Sequence, residues 1–206
     1  MATLSPVTDA QRAQRALERV RAAHGALLVD LDEPVNPARP SELRGWSVGH
    51  LLTHLARNAD SVTRRLDAAS RGEHAHQYDR GAEGRAAEID EGATRTWAAL
   101  RDDVRSSCER LEQTAGTLSP EAWSVESTTV TGLVQPAATV LERRIREVVI
   151  HHTDLGLSFT PAAWPDDLVA ELNSELVGTL QDRADPHALA GWLTGRAPAP
   201  VLSPWS

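Results

Sequence analysis

Four of the eight histidines fall in two short strings, WSVGHLLTHLARN and RIREVVIHHTDLG. Glu147 and His151 are four residues apart, and on an α-helix such a pair shares one face, so both side chains can reach a common point. Asp154 continues the line about one turn later. His50 and His54 have the same spacing in the other string, with Asn58 next along. A carboxylate and an imidazole from one helix, joined by an imidazole from another, would make a three-ligand site for a first-row divalent ion, zinc being the expected one. Three protein ligands leave coordination positions open, which is the layout of a catalytic site rather than a closed structural one. Spacing alone makes His50 and His54 equal candidates for the third ligand.

The elements that carry these strings read as helices. An apolar stripe of Val48, Leu51, Leu55, Val62 and Leu66 predicts a helix from about Ser47 to 70–72. Another, of Leu141, Ile145, Val148 and Leu155, predicts one over 136–157, with Pro136 near its first turn and Gly156 as its cap. Both polar lines run along the border of their stripes, so two core-facing stripes would bring the lines together at the edge of a core. Residues 8–31 predict a further helix, with Asp9 as N-cap and Leu17, Val20, Ala23, Leu27 and Val29 along one side. A long one is expected over about 85–115, with Ile89, Ala93, Trp97, Leu100, Val104, Cys108 and Leu111. The stretches 32–46 and 73–84 read as loops, and 119–135 as a short irregular or hairpin segment. Two shorter helices are expected at about 165–183 and 186–194, before a Pro-rich, extended or disordered end. Four amphipathic helices without a βαβ pattern give an all-α, four-helix bundle over 1–158, followed by a short, mainly helical extension over 159–206.

The remaining polar residues are less pointed. His152 lies near the centre of its stripe and reads as a buried, hydrogen-bonded histidine. His74 and His76 fall in a loop. Cys108, the only cysteine, reads as a packed thiol and excludes both an internal disulfide and a cysteine-rich zinc site. The net charge of -8 argues against nucleic acid as a partner, because phosphate contacts dominate that affinity. No apolar run reaches the roughly 20 residues of a membrane-spanning helix, and the N-terminal stretch carries no apolar leader, so a cytoplasmic protein is expected. The sequence carries no signal for an oligomeric state. All 21 basic residues are Arg, a bias that fits an actinobacterial, GC-rich genome.

Taken in order, GWSVGHLLTHLARNADSV, RAAEIDEGA and RIREVVIHHTDLGL resemble the mycothiol-dependent maleylpyruvate isomerase family, one of the DinB-like metal-binding bundles. The patterns W-x-x-x-H-L-x-x-H-L and R-E-x-x-x-H-x-x-D-L-G carry the likeness, which spans residues 10–158. The resemblance implies His54, Glu147 and His151 as metal ligands, and places His50 outside the triad. It implies Asp154 as a residue that holds a ligand histidine or a water. It also implies Arg85 and Arg196 as cationic contacts for the thiol cofactor and a dianionic substrate, Arg196 through the likeness of LTGR to the family's C-terminal A-A-G-R.

The implied cofactors are a divalent metal ion and mycothiol, and the implied partner is a small molecule. In the implied reaction a mycothiol thiolate adds to the conjugated double bond of maleylpyruvate, the former double bond rotates, and expulsion of the thiolate leaves fumarylpyruvate. Asp154 and Arg196 are the expected catalytic residues. Two other readings keep the metal: a mycothiol S-transferase acting on electrophilic small molecules, and a bundle that binds metal without catalysis. Family members usually carry a larger C-terminal α/β domain before the last arginine. Here fewer than 40 residues separate bundle and Arg196.

Overall fold

A computed structural model describes residues 7–203. Residues 1–6, part of the stretch read for a leader, and 204–206, the last of the Pro-rich end, lie outside the described residues. The chain divides into two compact units, the first ending at Pro161 and the second beginning at Ala162.

Four long helices build the first unit: α1 (Asp9–Asp30), α2 (Val48–Ser70), α4 (Trp97–Thr117) and α5 (Ala137–Asp154), with a shorter α3 (Gly81–Gly92) between the second and third of them. α1 packs against α4 and α5, and α2 packs against the same two helices. Leu27, Leu51, Leu55, Leu100, Val104 and Val148 meet in one core with no more than traces of exposure. The periodic stripes thus face inward, as the 3.6-residue repeat requires. One member of the α1 stripe does not: Val29 is exposed while Leu27 and Leu31 are buried, because a residue two positions away from each lies on the opposite side of a 3.6-residue helix.

Helix starts are set by side-chain caps. Thr8, not Asp9, caps α1, its hydroxyl accepting from the Gln11 amide while the Gln11 side chain accepts from the Thr8 amide. α2 begins with the same reciprocal arrangement between Ser47 and His50. The single helix expected over 85–115 is two helices. Gly92 ends α3, and the Thr96 hydroxyl accepts from the Ala99 amide to start α4. A cap of that kind stabilises a new N-terminus. The break also brings backbone close to α2: a Cβ on Gly49 would lie 2.1 Å from the Ala93 carbonyl oxygen.

The polar segments expected as loops hold a small sheet. β2 (Glu126–Thr128) and β3 (Val134–Pro136) form an antiparallel hairpin, and β1 (Ala75–His76) pairs parallel to β2. In the second unit, the helix expected over 165–183 is α6 (Asp166–Leu176), a 3₁₀ turn (Val177–Thr179) and a short α7 (Leu180–Arg183), followed by α8 (Pro186–Leu193). Among the described residues, no helix is long and apolar enough to cross a membrane.

Candidate metal centre

His54 stands on the second turn of α2, one turn beyond the Ser47–His50 cap. Glu147 and His151 occupy successive turns of α5. The α1–α2 loop ties the end of α5 to the start of α2: the Glu42 amide donates to the Asp154 carbonyl at 2.8 Å, and Arg39 donates to the Leu155 carbonyl at 2.6 Å. Gly156, with φ of +64°, lets the chain leave α5 there. The same loop delivers Trp46, whose ring meets that of His54 edge-on at 5.5 Å.

One ligand atom from each of His54, Glu147 and His151 lies within 4.8 Å of the others, and this is the group of metal-ligating type found among the described residues. His54 Nε2 is 2.8 Å from a Glu147 carboxylate oxygen, and His151 Nε2 is 3.6 Å from the same oxygen. The imidazole planes stand nearly perpendicular, 4.8 Å apart. His54 is buried, whereas 36% of the Glu147 side chain is exposed, so the cluster opens at the border of the core. Burial, together with the charges of His151 and Arg85, lowers His54 to about 4 against the pull of Glu147. Burial opposes ionisation of Glu147, but the His54 hydrogen bond and the charges of His54, His151 and Arg144 outweigh it and bring the carboxyl down to about 2. At neutral pH the site therefore presents a carboxylate beside a neutral imidazole, the protonation states that metal binding needs.

Asp154, at the end of α5, accepts a hydrogen bond from His151 Nδ1 at 2.9 Å. That bond leaves the Nε2 lone pair facing Glu147, the arrangement by which carboxylates orient ligand histidines. Donor set, protonation and this support fit a divalent ion. His50 lies outside the group: its Nδ1 is 2.7 Å from the Ser47 hydroxyl, and its Nε2 is 3.6 Å from Asp90. His152 is buried, bonded to Asp30 at 3.0 Å and stacked on Phe159. Cys108 is buried, and burial pushes its thiol up despite the nearby Arg144.

Arg85, on α3, comes directly to the cluster. Its guanidinium donates to His54 Nδ1 at 2.9 Å and lies over the rings of Trp46 and Tyr78. Arg196 follows α8 in the second unit, where its guanidinium donates to the Thr194 carbonyl. The structure thus brings together five of the six residues singled out in the sequence.

Several neighbours went unnoticed in the sequence. Arg144 is buried on α5 and donates to His24 on α1, to Leu55 O and Asn58 on α2, and to the sulfur of Cys108 on α4. His24 in turn hydrogen-bonds Glu112 at 2.7 Å. A charged residue between Leu141, Ile145 and Val148, at core spacing, was the available signal.

Four long helices with a His–Glu–His cluster of metal-ligating type between α2 and α5 define a helical bundle with a candidate metal site. The profile of the mycothiol maleylpyruvate isomerase N-terminal domain matches residues 10–156, and the chain belongs to that family. Two solved structures are similar: a mycothiol-dependent maleylpyruvate isomerase, at 32% identity with a TM-score of 0.75, and a His-to-Ala mutant of such an isomerase, at 31% and 0.76. Each alignment covers 80% of this chain and 69% of the other. No curated protein matches the sequence.

Proposed function

We propose that the chain is a metal- and mycothiol-dependent isomerase that converts maleylpyruvate to fumarylpyruvate. The observation that carries this reading is the convergence of His54, Glu147 and His151, in ligand-competent protonation states, within a bundle of this family.

His54, Glu147 and His151 would hold the ion, zinc by donor chemistry, and Asp154 keeps His151 in the ligating tautomer. When bound, such an ion supplies Lewis acidity and favours the thiolate over the thiol. Cys108 is buried and its thiol is held protonated, so the nucleophile comes from mycothiol. Thiolate addition to the conjugated double bond forms a C–S bond and leaves a single bond free to rotate. Elimination breaks that C–S bond and returns the thiolate, with no net redox change. Arg85 provides a guanidinium beside the cluster for a substrate carboxylate. The domain division is proposed as the bundle, 1–158, and the extension, 159–206, with a cytoplasmic location.

A second reading, mycothiol S-transfer to other electrophiles, is favoured by one observation: nearly a third of each similar structure has no counterpart in this chain. Residues that choose the acceptor can differ there while the metal and thiol chemistry stays.

The test follows maleylpyruvate by ultraviolet absorbance with and without mycothiol. Thiol-dependent conversion supports the isomerase. A mycothiol conjugate of a model electrophile, without isomerisation, supports the transferase. Neither activity in metal-loaded protein leaves a non-catalytic bundle. His54→Ala should lose its metal on dialysis, and full retention would refute the site itself.

A further inference from the structure

A cleft of about 270 Å³ lies between α2 and the segment joining β1 to α3. That is close to the lower end of ligand pockets, roughly 300 Å³. Its lining includes Arg57 and Arg64 from α2, Tyr78, Asp79 and Arg80 from the connecting segment, and Arg85 from α3. Arg85 belongs to both places, since the same guanidinium donates to His54. A ligand filling the cleft therefore ends beside the metal cluster.

The lining is rich in charge yet nearly balanced, with four guanidinium groups facing three carboxylates. These groups pair with one another: Arg57 with Asp60 and Asp103, and Arg64 with Asp79. Arg64 also donates to the Gln77 carbonyl at 2.7 Å, which fixes the connecting segment against α2. The Nε atom of Arg57 is nonetheless buried without a hydrogen bond, whereas that of Arg64 faces Asp79 Oδ1 at 3.3 Å. A stranded donor of this kind favours a ligand that brings acceptors. A small dianion suits the cleft poorly, because it would meet carboxylates on the same walls. Hydroxyl groups suit it well, because each both donates and accepts and so can bridge an arginine and a carboxylate. The half-buried ring of Tyr78 adds a flat apolar surface against which the C–H face of a ring can pack.

Resting on the reading of mycothiol as cosubstrate, we propose that this cleft binds the polyhydroxylated end of the thiol, its glucosamine–inositol pair. The cysteinyl end then extends past Arg85 to His54, Glu147 and His151. The α2 helix serves both ends of the molecule: its second turn supplies a metal ligand, and its later turns supply Arg57 and Arg64.

The experiment is titration calorimetry on the metal-loaded protein with two probes, mycothiol and the thiol-free glucosaminyl-inositol. Tyr78→Ala and Asp79→Asn are compared with the parent, each checked for an unchanged melting temperature and metal content. Glucosaminyl-inositol should bind the parent, and each substitution should weaken it at least tenfold. The kcat/KM preference for mycothiol over N-acetylcysteine should fall by a similar factor. Should mycothiol drive turnover while both variants keep its affinity within twofold, the cleft assignment is wrong and the isomerase reading stands. Should glucosaminyl-inositol bind the parent and be lost in the variants without any mycothiol-dependent turnover, the cleft assignment stands and the reaction is wrong. Absence of binding of glucosaminyl-inositol to the parent overturns the proposal outright.

Discussion

Replacing Arg144 by methionine keeps much of the volume and removes every donor. Arg144 is about 1% exposed and touches the other three long helices through hydrogen bonds. Its loss strands two buried acceptors, His24 Nε2 and Asn58 Oδ1, whereas the Leu55 carbonyl retains its bond within α2. An unsatisfied buried group costs about 1–3 kcal/mol, and removing a buried cation returns part of that sum. A net loss of about 3 kcal/mol is expected, a large share of the roughly 5–15 kcal/mol that holds a domain folded. Denaturant unfolding measures it. Arg144→Lys should be nearly as damaging, because one ammonium cannot span three directions at once. A second signature accompanies the first. Burial and the Arg144 charge hold His24 down at about 4 against Glu112, so His24 should titrate higher in Arg144→Met, seen in its imidazole resonances. A stability change under about 1 kcal/mol with an unmoved His24 would refute the role assigned to this network.

Asp154→Asn keeps the shape of the His151 support but removes its charge, and metal affinity measured against a chelator should fall about 10–100-fold; an unchanged affinity means that Asp154 does not orient the ligand. Gly49→Ala places a methyl against the Ala93 carbonyl and should destabilise by about 2 kcal/mol or more, as overpacking does, read in thermal melts. Acid should also weaken the fold through His24. Its folded-state pKa, about 4, lies below the ordinary histidine value of 6.5, so the unfolded chain binds more protons between those values. Stability from this group is complete above pH 6.5 and is lost as pH falls towards 4, by on the order of 3 kcal/mol. His24→Gln should lose less than the parent between pH 7 and 4.5 in denaturant titrations.

Much of this was legible in the residues. The stripes of α1, α2 and α5 stand out because one face of each is nearly continuous in Leu, Val, Ile and Ala, and burial follows that face. The ligand cluster was legible because Glu147 and His151 sit a helical turn apart beside such a stripe. Choosing His54 over His50 was not a matter of spacing. Ser47 captures His50 as a cap, and that depends on where the helix begins. The break at 93–96 was hidden because Ile89, Trp97 and Leu100 keep helical register across it, so the pattern survives although the backbone does not. β1 was hidden for a different reason: two residues of strand carry no alternation, and they exist only because β2 lies alongside. Arg144 eluded the pattern because hydropathy scores a buried guanidinium as a surface residue.

The Arg85–His54 contact has a consequence for how the centre would load. A neutral imidazole offers one lone pair, and Arg85 claims it at Nδ1, which puts the proton on Nε2, facing Glu147. Coordination through Nε2 demands the opposite tautomer, and an Nδ1–H cannot accept from a guanidinium. Loading through Nε2 would therefore release Arg85 from the imidazole. The cation released lies between Trp46 and Tyr78, at the junction of cleft and cluster. Filling the centre and freeing its neighbour for an anion would thus be one event, written into the proton of a single ring.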